Sequence, residues 1–157
     1  MNPPLRTAED ALALQAAVAD GTVDCIVTDH APHAAHEKDC EWEISYFGCI
    51  GLETSLPLMV TNMVRTNKLS YTGLVRAMAV NPRRILRLAP VKIAAGYKAD
   101  LTLFDPEKKV QITTEYFESK SKNSAFIGAE LYGVATDVFV DGKRVLADEV
   151  VVPGGEK

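Results

Sequence analysis

The stretch Val23-Asp24-Cys25-Ile26-Val27-Thr28-Asp29-His30-Ala31-Pro32-His33 restricts the fold more than any other in this chain. It opens as an almost continuous apolar run with β-branched residues, then breaks into an acid, two histidines and a proline. A run of that length and composition predicts a strand buried on both faces, as in a parallel sheet. The polar break then lies at the strand's C-terminal end. In α/β barrels that end carries the catalytic groups, because the βα loops open there. Asp29 is therefore the first candidate for a catalytic residue, although Asp also serves as a plain cap or turn residue after a strand.

The elements around it read as α/β. Two prolines keep residues 1–6 out of regular helix. Thr7 and Asp10 predict a capping box for a helix from Ala11 to about Asp20, burying Leu12, Leu14 and Val18, with Gly21 as its stop. The connection from His30 to Gly51 is longer than loops that merely connect, which points to a lid or binding loop. From Leu52 to Asn67, Leu52, Leu56, Met59, Val60, Met63 and Val64 recur on one helical face, with Ser55 as cap and Pro57 in the first turn. Ser70 predicts the start of a helix to Val80. Asn81-Pro82 reads as the N-cap and first residue of another, whose Arg83, Arg84 and Arg87 suit a solvated face.

Beyond Pro90 the pattern turns to short β runs: Leu101 to Phe104, Val110 to Ile112, Val138 to Val140 and Val145 to Val151. Asp105-Pro106 marks a turn and Asp141-Gly142 a type I′ hairpin. The polar segment Thr114 to Gly133 reads as loop. The expected division is residues 1–90 as α/β and 91–157 as all-β.

Composition narrows the function classes. The 157 residues are 47% hydrophobic and 24% charged, enough for a core. A net charge of −4 with no basic block argues against nucleic acid as a partner. No apolar run is long enough to span a bilayer. The Met-Asn-Pro-Pro start lacks a signal-peptide pattern. The odd count of three cysteines, Cys25, Cys40 and Cys49, fits reduced thiols and a cytoplasmic location. His30, His33 and His36 at i, i+3, i+6 match no standard structural zinc spacing, and Pro32 breaks any helix that would align their rings.

Several phrases, in order, carry a resemblance. Met1-Asn2-Pro3-Pro4-Leu5-Arg6, Thr28-Asp29-His30-Ala31-Pro32-His33 and Phe47-Gly48-Cys49-Ile50-Gly51-Leu52-Glu53-Thr54 come first. Ala79-Val80-Asn81-Pro82-Arg83 and Gly96-Tyr97-Lys98-Ala99-Asp100-Leu101-Thr102-Leu103-Phe104-Asp105 follow. Together they resemble the C-terminal portion of dihydroorotase, in the amidohydrolase superfamily. That resemblance implies the last part of a TIM-like (β/α)8 metal-dependent hydrolase barrel over residues 1–90 and a small β-sandwich segment over 91–157. It implies reversible hydrolysis and cyclisation between L-dihydroorotate and N-carbamoyl-L-aspartate in pyrimidine biosynthesis.

Under the resemblance, Asp29 would ligate one metal of a zinc pair and act as general acid/base, moving the proton that a metal-bound hydroxide sheds to the leaving nitrogen. Asn2 and His33 would hydrogen-bond the substrate, and Phe47 and Gly48 would offer it backbone groups. The plain structural readings are a loop-capping Asn2, a loop-packing His33 and a core Phe47. The superfamily's His-x-His pair, bridging lysine and further histidine ligands have no counterpart here. The expected partners are therefore the missing N-terminal barrel portion, a second copy of the chain, and aspartate carbamoyltransferase, which some family members bind. The expectation is that the chain alone is inactive. The competing readings are a non-catalytic assembly homologue and a piece of another cyclic-amide hydrolase, such as hydantoinase or allantoinase.

Overall fold

The computed structural model describes residues 1–156. The chain runs α1 (Ala8–Asp20), α2 (Ala35–Lys38), α3 (Leu52–Met59), α4 (Tyr71–Val75), α5 (Asn81–Ile85), β1 (Leu101–Gln111), β2 (Glu130–Val140), β3 (Lys143–Ala147) and β4 (Val150–Glu156). The strands form one antiparallel sheet in the order β1-β2-β3-β4. Helix α3 packs on β2. The core is Ile50, Ile112, Phe117 and Leu131, with Leu58, Tyr116 and Phe126 against it.

Two of the four expected helix caps form. Thr7 and Asp10 form the capping box of α1, and Ser70 Oγ accepts the Gly73 amide at the start of α4. What the helices bury differs from the prediction. No residue of α1 is buried, and Leu12 and Leu14 are 56% and 63% exposed. The two lie about 200° apart around the helix, and the partly buried positions are instead Gln15, Ala17 and Val18.

The face that α3 buries is Thr54 and Pro57, continued by Val60 and Met63, while Leu52 stays exposed. Ser55 does not cap α3; its hydroxyl donates to the Leu52 carbonyl from within the helix, and Gly51 is the N-cap. A π-helical turn, Val60–Val64, extends α3, and a second, Arg76–Val80, carries α4 directly into α5. Asn81 is thus helical, with φ −66°. Its side chain donates to the Asp24 carbonyl at 2.6 Å instead of capping a helix.

The apolar run at Val23 forms no β-ladder. A single parallel bridge joins His30 to Cys49. The Ile26 amide bonds to the Ala77 carbonyl at 3.1 Å, and Val27 is 76% exposed. The strand prediction needs pairing partners on both edges; among the described residues there is only that bridge.

In the β part, Asp141 and Gly142 both have positive φ, 53° and 75°, joining β2 to β3 as the type I′ reading requires. The run Val145 to Val151 is split by a second tight turn at Asp148 and Glu149, φ 49° and 70°. Neither residue is glycine, so the usual signal is missing. The strand does not stop at Asp105-Pro106. It bulges there between Asp105 and Lys109, and Asp105 Oδ1 accepts the Glu107 and Lys108 amides. The supposed loop Thr114 to Gly133 already becomes β2 at Glu130. Gly133 explains the fit of helix on sheet: its φ is 95°, and a Cβ there would lie 2.7 Å from Val60.

Candidate functional site

The end of the apolar run meets the start of α3. His30 Nδ1 accepts the amides of Gly51 and Leu52 at 3.1 and 3.3 Å. These are helix-terminal donors that have no partner within the helix. The Ala31 amide bonds to the Cys49 carbonyl at 2.9 Å. Residues 30–31 and 49–52 are thereby tied side by side.

Asp29 sits at the tip of that junction. It is exposed, with φ 45°, a left-handed conformation that Asp tolerates better than most residues. Its carboxylate has no hydrogen-bond or ion-pair partner among the described residues.

His33 lies one short turn further on. Its Nε2 donates to the Phe47 carbonyl at 2.8 Å. Its ring stacks on Tyr46 with centroids 5.4 Å apart, and Nδ1 is 3.7 Å from Glu37 Oε2. Phe47 is 64% exposed and so is not a core residue. Gly48 has φ 96°, and a Cβ there would lie 2.6 Å from the Ala31 Cβ. The Gly48 carbonyl accepts Lys38 Nζ at 3.0 Å. The carbonyls of Phe47 and Gly48 are thus both engaged. Their two amides have no partner among the described residues. Adjacent free N–H groups of this kind are suited to an anionic or carbonyl oxygen.

Of the five sequence candidates, the structure brings His33, Phe47 and Gly48 into one cluster, with Asp29 two residues before Ala31. Asn2 is exposed and shares no hydrogen bond or ring contact with the other four.

The donors do not add up to a zinc site. His30 accepts at Nδ1, which places its proton on Nε2, and His33 Nε2 is engaged with a carbonyl. Among the described residues no three His, Cys, Asp or Glu side chains converge to hold a metal ion, whereas catalytic zinc takes about three protein ligands.

The sequence reading missed the segment that supports this cluster from behind. Glu53 accepts the backbone amides of Glu118 and Ser119 at 2.7 and 3.2 Å. Ser121 and Asn123 bond to residues 31, 33 and 48. Their run, Ser119-Lys120-Ser121-Lys122-Asn123-Ser124, reads as plain polar loop because partners some 90 positions away leave no local pattern.

Comparison with known proteins adds a second line. A model of the amidohydrolase family matches residues 2–145. A dihydroorotase of Geotalea daltonii is 48% identical over 145 residues, covering 92% of this chain and 34% of that protein. A dihydroorotase of Clostridium acetobutylicum is 43% identical over 149 residues, covering 95% and 35%. Among solved structures, the L-hydantoinase of Arthrobacter aurescens superposes with a TM-score of 0.88 at 32% identity, covering 96% of this chain and 34% of that one. The chain spans about a third of the length of the relatives it matches.

Proposed function

The chain belongs to the amidohydrolase family, and from that premise we propose that it is the C-terminal portion of a dihydroorotase acting on the ring amide of L-dihydroorotate. In this reading residues 1–90 complete a metal-dependent barrel and residues 91–157 form its small β domain. The reaction is the reversible opening of dihydroorotate to N-carbamoyl-L-aspartate, a step of pyrimidine biosynthesis.

One observation carries the proposal. An exposed, uncommitted carboxylate, Asp29, lies beside a cluster that presents two free adjacent amides, at Phe47 and Gly48. Ring opening forms a C–O bond and breaks a C–N bond. A proton leaves the attacking water and must reach the departing nitrogen. Asp29 takes that proton and delivers it. The Phe47 and Gly48 amides donate to the substrate's carbonyl or carboxylate oxygens. His33 orients the Phe47 peptide through Nε2, while its Nδ1 faces Glu37 Oε2 at 3.7 Å. Asn2, which is exposed, would hydrogen-bond the substrate.

Zinc would supply a more acidic water, but the donors of this chain do not hold it alone. The remaining ligands would come from a polypeptide equivalent to the other two thirds of the relatives. The family likeness also extends to hydantoinases, so the substrate ring is itself under test.

The experiment joins this chain to the remaining portion of the Clostridium acetobutylicum dihydroorotase, by co-expression or fusion. The isolated chain is expected to show neither stoichiometric metal nor turnover. The assembly is expected to hydrolyse dihydroorotate in preference to hydantoin, and Asp29→Ala is expected to lower kcat by about 10²- to 10⁴-fold. A folded, metal-loaded assembly with no activity, or full activity in Asp29→Ala, would overturn the proposal.

A further inference from the structure

Behind the candidate site, the buried Ser121 and the half-buried Asn123 tie together three stretches far apart in sequence. Ser121, 9% exposed, accepts the His33 amide on Oγ at 3.2 Å and donates to the His33 carbonyl at 2.8 Å. Its single proton is shared with Asn123 Oδ1, which lies against the same hydroxyl. Asn123 Nδ2 donates to the Ala31 carbonyl at 3.0 Å and to the Gly48 carbonyl at 3.4 Å. Asn123 Oδ1 lies 3.4 Å from the His33 amide. The Asn123 main-chain carbonyl accepts the Ile50 amide at 3.1 Å.

We propose that Ser121 and Asn123 are positioning residues, which hold the 31–33 turn and the 47–50 turn at the spacing the substrate requires. The chemistry of the pair is specific. One side chain must accept from an amide and donate to two carbonyls on different stretches. A carboxamide does both, a carboxylate donates to neither, and an apolar side chain leaves all of these groups unpaired in a partly buried place. The Asn123 amide bridges the Ala31 and Gly48 carbonyls and so adds a side-chain tie to the Ala31–Cys49 backbone bond beside it. Asn123 thereby aims the Phe47 and Gly48 amides without itself touching a ligand.

The consequence for catalysis rests on the proposed function; the consequence for geometry does not. The test therefore has two arms. In the full 157-residue chain, amide exchange and carbonyl ¹³C shifts are measured for wild type, Ser121→Ala, Ser121→Thr, Asn123→Asp and Asn123→Leu. Ser121→Ala is expected to speed exchange of the His33 amide by up to about tenfold, and Ser121→Thr, which keeps the hydroxyl, to restore protection. Asn123→Asp keeps an acceptor and loses both donors. It is expected to move the Ala31 and Gly48 carbonyl shifts while His33 stays protected. If Asn123→Leu fails to fold, the near-isosteric Asp variant still decides.

In the active assembly, Asn123→Asp is expected to raise KM for dihydroorotate by about tenfold with little change in kcat, the sign of lost binding geometry. Unchanged exchange and shifts, or altered shifts with unchanged KM, would overturn the proposal. An inactive wild-type assembly would defeat the functional reading instead, and the exchange and shift arm alone would then decide the clamp.

Discussion

Asp29 and Gly48 carry the site's two most unusual backbone conformations, with φ 45° and 96°. At Gly48 the requirement is double. A side chain would enter the left-handed region at a cost of about 1–2 kcal/mol, and its Cβ would press on Ala31 at 2.6 Å. Gly48→Ala is therefore expected to destabilise the chain by about 3 kcal/mol, read as a lower urea midpoint at unchanged m. A shift of a few tenths would show that the 31–48 contact yields freely. The sequence suggests glycine here for close approach to a ligand. The structure adds that Ala31 occupies the same space. His30 teaches the converse: it stands in a functional phrase, yet its Nδ1 serves the first amides of α3. No property of its neighbours in sequence announces that role.

Elements form where local chemistry suffices. The α1 capping box and the Asp141-Gly142 hairpin are legible in the sequence because each needs only three or four adjacent residues. The Val23 run is not so placed. A strand is defined by its partners, and this one has a single bridge to Cys49. The β2–β3 hairpin also carries a titratable lock. Arg144 Nε donates to Asp137 Oδ1 at 2.9 Å, and that hydrogen bond holds the Asp137 carboxyl below the usual carboxylate range. A lowered folded value means that the stabilisation is complete above the unfolded value of about 3.9 and is lost as pH falls through the folded one. Between pH 6 and 2 the wild-type unfolding midpoint is expected to fall further than that of Asp137→Asn. Parallel curves for the two proteins would remove Asp137 from the acid response.

At the scale of the molecule, the core lies where α3 and residues 112–131 meet the sheet. Much of the N-terminal part is apolar and uncovered. Leu12, Leu14, Val27 and Trp42 are all exposed, and no α1 residue is buried. Surface of this kind predicts binding of an apolar dye and concentration-dependent association of the isolated chain. Both are expected to diminish when the rest of a relative's barrel is supplied. A dye-silent monomer across the concentration range of light scattering would contradict this. By itself the sequence determined the Thr7 and Ser70 caps, the hairpin at Asp141 and the phrases that mark the family, since these rest on contacts between near neighbours or on the order of motifs. The tertiary structure alone decided that the Val23 run pairs only through the His30–Cys49 bridge among the described residues, that α3 buries Thr54 and Pro57, and that Ser121 and Asn123 reach back to His33 and Gly48. Pairing, burial and long-range hydrogen bonds depend on what lies across space, and a linear pattern holds no record of that.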